Sequence, residues 1–185
     1  MLSNSSCTKS KRRLLLCAVL LTAVLPGAAL AAGDWRTLLP QAQALGGGDL
    51  TWFGLRIYRA TLWSASKPFD ATQPFALQLH YYRSISRERL VRTSIDEIRR
   101  LSAAPIAAAT LTRWEALLNT AFIDVRDGDE LTGVYLPGQG MQLYDRQRLL
   151  AELNDEALAR AFFDIWLNPD SRDQRLRQRL IGAAP

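Results

Sequence analysis

Residues 50–63, Leu-Thr-Trp-Phe-Gly-Leu-Arg-Ile-Tyr-Arg-Ala-Thr-Leu-Trp, alternate with a period of two and are rich in aromatic and β-branched side chains. That pattern predicts a strand, bent or bulged at Gly54. In an unbroken strand Trp52, Arg56, Tyr58, Ala60 and Leu62 share one side, and Phe53, Leu55, Ile57, Arg59, Thr61 and Trp63 the other. Neither side is purely polar, so the sheet is expected to be covered, at least in part, on both faces. Residues 75–83 alternate more clearly, with Phe75, Leu77, Leu79 and Tyr81 against Ala76, Gln78, His80 and Tyr82. The two runs predict neighbouring strands across a polar connection.

Downstream the period changes. Leu90, Val91, Ile95, Ile98 and Leu101 form one stripe of a helix that Ser86 would cap, with the arginines, Asp96 and Glu97 on a solvated surface. Thr112-Arg-Trp-Glu115 has the form of a capping box and predicts a second helix carrying Leu117, Leu118, Ala121 and Phe122 inward. Strands follow at 131–136, 141–144 and 149–153, the first two joined by Pro137-Gly-Gln-Gly140. Strand, glycine turn and strand in succession is antiparallel logic. A buried helix opens at Asn154 and carries Leu158, Ala161, Phe162, Ile165 and Trp166, and a basic one opens at Ser171. Ahead of the first strand, residues 34–45 read either as a short amphipathic helix or as an irregular lead-in, and Gly46-Gly47-Gly48 as a flexible turn. No Lys-Ser/Thr or G-x-G-x-x-G pattern makes those glycines a phosphate cradle.

The N-terminus reads as a targeting segment. Lys9, Lys11, Arg12 and Arg13 precede the apolar stretch 14–25, and Ala29-Leu30-Ala31 suits a signal peptidase. The stretch is too short for a bilayer span, which needs about 20 residues. Cleavage after Ala31 would leave residues 32–185 as a single periplasmic domain. Both cysteines, Cys7 and Cys17, would be lost, and the formal charge would fall from +5 to +1. Neither a disulfide nor a thiol nucleophile is therefore expected, and the high isoelectric point says little about nucleic acid.

Few catalytic patterns survive inspection. His80 is the one histidine, it falls in a strand, and no G-x-S-x-G elbow accompanies it. It cannot assemble a zinc site alone, and no metal or other cofactor is expected. The acidic run 124–130 does not fit a calcium loop, because Ile123 and Val125 occupy positions that need acids, so Asp127-Gly128 is expected to be a turn. Arginines do interleave with aromatic residues at Trp52, Arg56, Tyr58 and Arg59, and again at Tyr81, Tyr82 and Arg83. On a single-strand-binding sheet that pattern stacks bases, but export and a near-neutral charge argue against nucleic acid. It suits instead a ligand with an apolar body and one anionic or phenolic end.

The order of these motifs resembles the bacterial exported branch of the chalcone isomerase-like family. Gly-Leu-Arg-Ile-Tyr-Arg-Ala-Thr-Leu-Trp, Leu-His-Tyr-Tyr-Arg-Ser-Ile-Ser, the Asp-Gly-Asp turn, Tyr-Leu-Pro-Gly-Gln-Gly and Ala-Phe-Phe-Asp-Ile-Trp-Leu carry the likeness across residues 46–182. The resemblance implies an α+β fold, an open antiparallel sheet with helices on one face and a ligand cleft between them. It also implies a catalytic Thr five residues before the strand Tyr, where this chain has Phe53. The catalytic Arg would fall among residues 46–49, which hold none, and a helical Tyr and Asn would fall on Thr112 and Asn119. A late Ser/Thr-Met pair would fall on Ile165-Trp166. Fatty-acid-binding relatives, whose cleft ends in an Arg and a Tyr, lack the activity.

The expectation is a non-catalytic binder of a fatty acid or aromatic acid. Arg56, Tyr58, Tyr82 and Arg83 would supply polar contacts from the sheet, and Trp114 and Asn119 from the helices. Two alternatives stand beside it: an intramolecular lyase of the chalcone isomerase type, and an envelope interaction module docking through the basic last helix.

Overall fold

The computed structural model describes Met1 and residues 34–183. The targeting segment expected at 1–31 lies, apart from Met1, outside the described residues. Six strands form one sheet in chain order, each antiparallel to the next: β1 (Gln43–Trp52), β2 (Leu55–Ser64), β3 (Phe75–Tyr81), β4 (Glu130–Leu136), β5 (Gly140–Tyr144) and β6 (Leu149–Leu153). Helices α1 (Arg87–Leu101), α2 (Ala108–Ala121), α3 (Glu156–Leu167) and α4 (Gln174–Leu180) pack on one face. This is the α+β architecture expected, an open antiparallel sheet under a helical layer.

The main core lies between the layers. Ala60 and Leu62 of β2, Phe75, Leu77 and Leu79 of β3, and Met141 and Leu143 of β5 meet Val91, Ile98, Leu118, Leu158, Phe162 and Leu176 from the helices. A smaller cluster covers part of the opposite face, where Trp35 and Leu39 pack on Ala76, Val134, Tyr144 and Trp63. Both faces are therefore partly covered, and the mixed alternation of β2 follows from that. Gln78, His80 and Glu130 form a polar group on the same outer face.

The predicted strand 50–63 is in fact two. Phe53 (φ 47°) and Gly54 (φ 77°) make a two-residue turn with both residues left-handed, so β1 and β2 are arms of a hairpin. The triple glycine is not a flexible turn but the middle of β1. A Cβ on Gly46 would stand 1.9 Å from the Arg179 carbonyl oxygen, and one on Gly48 2.5 Å from the Arg179 Nε. Bare backbone lets α4 lie against the edge strand. Residues 34–45 hold only a 3-10 turn at Trp35–Thr37 before β1 begins.

Helix starts also differ from expectation. Ser86 caps α1 as expected, accepting from the Arg89 N–H, and Asp124 accepts from the Arg87 N–H beside it. The acidic run thus serves turns and caps, with Gly128 at φ 88°. Thr112 is inside α2, which begins at Ala108 with no side-chain cap. Asp155 rather than Asn154 caps α3, and Asp173 rather than Ser171 caps α4. In these last two a carboxylate one or two residues on accepts from a free N–H, that of Leu158 or Leu176.

Candidate functional site

Between the helix-facing side of the sheet and helices α1, α3 and α4 lies a cavity of about 900 Å³. Its walls are largely apolar: Leu77, Leu79, Leu131 and Leu143 from the sheet, and Phe162, Phe163, Ile165 and Leu176 from the helices. Gly133 contributes no side chain, and a Cβ there would press on the Phe163 ring at 3.1 Å. Sites of this kind measure about 300–1,000 Å³ and combine apolar walls with a few placed polar groups.

Two phenols supply such groups inside. Tyr58 accepts a hydrogen bond from the Trp166 indole N–H at 2.8 Å, which leaves its own O–H to donate elsewhere. Burial pushes the Tyr58 phenol well above the usual tyrosine range, and Tyr81 likewise, with Tyr58 adding to the effect. Both stay protonated at neutral pH. They are hydrogen-bond donors there, not bases.

The exposed lining residues mark the opening. Arg83, Ser84, Ser86 and Arg89 come from the β3–α1 connection and the start of α1, and Arg172 from the segment before α4. Glu97 is buried at 7% exposure between Arg100, at 2.9 Å, and Arg172. Beside it Ser171, 4% exposed, has a buried hydroxyl without a hydrogen-bond partner. Among the described residues no group of histidine, cysteine or acidic side chains could hold a metal ion.

Of the six expected ligand contacts, Tyr58 and Arg83 line this cavity. Arg56 and Tyr82 do not: the Arg56 guanidinium lies 4.4 Å from the Tyr82 ring centroid, and both reach Asp49 outside the cavity. Trp114 is buried away from the lining, and its indole N–H donates to Asp155 Oδ2 at 2.9 Å, tying α2 to the cap of α3. Asn119 is half-buried on α2 and is not a lining residue. Sequence reasoning missed Glu97, Trp166, Ser171 and Arg172. Periodicity alone places Glu97 among the solvated charges, although its position two residues after Ile95 and one before Ile98 signals that it borders the buried stripe.

The sequence model described as Chalcone isomerase-like matches residues 51–182. The chain belongs to that family. A Haemophilus influenzae relative described as an uncharacterized protein is 26% identical over 141 residues, covering 76% of this chain and 68% of the relative. The crystal structure of an Arabidopsis thaliana fatty-acid binding protein superposes with a TM-score of 0.59 at 10% identity, covering 82% of this chain and 90% of that one. At that identity the likeness is one of fold. Within this chalcone isomerase-like protein, the position counted for the family's Thr, Phe53, is on the exposed hairpin tip. It lies outside the cavity lining, so the apolar ring there is no evidence for or against catalysis in the cavity. Thr112 and Asn119 are also outside the lining, whereas Ile165 and Trp166 are part of it.

Proposed function

We propose that this protein is a binder of a small, largely apolar molecule with one polar end, such as a fatty acid or an aromatic acid, and that it performs no chemistry on it. The observation that carries the reading is the cavity itself: apolar walls, a Tyr58 hydroxyl oriented by Trp166, and arginines at the opening. A carboxylate at Arg83 and Arg89 would keep access to water while the chain lies along Leu77, Leu79 and Leu143. The name of the Arabidopsis fold relative is consistent with such a ligand. We further propose that the protein belongs to the exported branch of the family and works in the periplasm, a reading supported by the basic and apolar leader at 9–31.

Calorimetry with saturated fatty acids of increasing length tests the reading. Each methylene taken from water contributes about 0.8 kcal/mol, so affinity should rise roughly fourfold per carbon until the cavity is full. Absence of binding at every length, together with no lipid or aromatic acid extracted from the purified protein, would refute it. Fractionation of the expressing cell tests the location.

A further inference from the structure

The β1–β2 hairpin ends in side chains that pack on nothing in the core. Trp52 is 56% exposed, Phe53 90% and Leu55 49%, and only Gly54 interrupts them. The turn itself does not call for these residues. With φ of 47° at Phe53 and 77° at Gly54, it is the conformation for which Asn-Gly is preferred, and a bulky side chain at the first position is strained. An aromatic ring is therefore held where it destabilises the turn and contributes nothing to the core. The Trp52 and Phe53 rings meet edge to face with centroids 5.2 Å apart, making one aromatic wedge.

A basic collar lies below the wedge, toward the base of the hairpin. The Arg83 Nε donates to the Arg56 carbonyl oxygen at 3.2 Å, which brings this guanidinium beside the base of the turn. Arg56 and Arg59 share a single carboxylate, Asp49, at 3.6 Å and 3.4 Å, and both remain more than half exposed. Arg83 forms no ion pair among the described residues. Three cations against one anion leave an excess of positive charge below an apolar tip. Three side chains are too few for a stable protein interface, which buries about 1,200 Å² or more. Tryptophan above an arginine collar suits the boundary between anionic headgroups and acyl chains. The wedge also adjoins the cavity, because Leu50, Thr51 and Trp52 of β1, and Arg83 after β3, belong to its lining.

We propose that the tip of the β1–β2 hairpin is a membrane-contacting wedge that sets the cavity opening against an anionic lipid surface. Contact with lipid stands without the ligand reading; only exchange of a ligand through that opening rests on it.

Co-sedimentation of the full chain with vesicles of phosphatidylglycerol and phosphatidylcholine, and with phosphatidylcholine alone, tests the proposal. Wild-type and variant chains share one N-terminus, so differences between them report the tip. Binding should favour the anionic vesicles and weaken with added salt. Trp52→Thr combined with Phe53→Asn should weaken it more than about tenfold, and Arg83→Gln about fivefold. Phe53→Asn alone suits the turn, so its thermal midpoint should hold or rise while vesicle binding falls, which separates lipid contact from unfolding. Equal sedimentation of wild type and double variant would overturn the proposal, as would indifference to lipid charge. So would self-association that Phe53→Asn abolishes in the absence of vesicles, which would assign the tip to a second copy. A chain that binds fatty acid by calorimetry but sediments with no vesicle overturns the wedge alone, and the converse overturns the ligand reading alone.

Discussion

Trp166 on α3 and Tyr58 on β2, 108 residues apart in sequence, are joined by an indole-to-phenol hydrogen bond of 2.8 Å inside the cavity. The bond consumes an acceptor site on the phenol and leaves the O–H proton available. Tyr58→Phe should therefore lower fatty-acid affinity about fivefold to tenfold, the worth of one net hydrogen bond of about 1–1.5 kcal/mol, with an unchanged circular dichroism spectrum. Trp114→Phe, which loses the tie to Asp155 and part of a buried ring, should leave affinity unchanged and cost about 2–3 kcal/mol in urea denaturation.

Gly46 lies under the last helix with no room for a side chain. Gly46→Ala would drive a methyl into the Arg179 carbonyl and force α4 from the sheet edge. The expected loss is about 3 kcal/mol, at the upper end of what overpacking costs. A comparable thermal midpoint for the variant would show that α4 shifts freely, contrary to this packing.

Glu97 is held by two arginines that remain partly solvated. Glu97→Gln should cost about 1–2 kcal/mol, less than breaking a wholly buried pair, because Arg100 and Arg172 can turn to water. Urea denaturation measures it. Since Arg172 would then be released beside the opening, a fatty-acid carboxylate should bind at least as well as before.

On the outer face, burial pushes the Glu130 carboxyl up, but the hydrogen bond and charge of Arg146, with a smaller contribution from His80, hold it below the ordinary value of 4.5. Its folded-state pKa thus lies below its unfolded one. The stability it contributes is present above the unfolded value and is lost as pH falls through the folded one. Denaturation midpoints should drop less on acidification for Glu130→Gln than for the wild type. Asp164 behaves oppositely: burial raises its pKa, so the stability linked to it is present at low pH and lost as pH rises. Asp164→Asn should recover stability at neutral pH.

Much of the fold was legible because single elements carry strong periodicity. Phe75, Leu77, Leu79 and Tyr81 alternate, the α1 stripe repeats at helical spacing, and both patterns reflect burial on one side. The first strand was not legible. Three glycines have low strand propensity, and what places them in β1 is the backbone of α4, more than 120 residues away. The cavity was half legible: Tyr58 and Arg83 stood out as a phenol and a guanidinium near strand ends. Trp166 read as core and Glu97 as solvent-facing, since no local pattern reveals that a helix borders a void.

The contact of α4 with β1 joins the end of the domain to its beginning. Among the described residues each pairing within the sheet joins strands adjacent in chain order, so the meander can assemble hairpin by hairpin from its first strand onward. Its first strand, however, stays uncovered at Gly46 until Arg179 docks against it. The domain closes like a clasp, and its final residues determine when the earliest ones leave water.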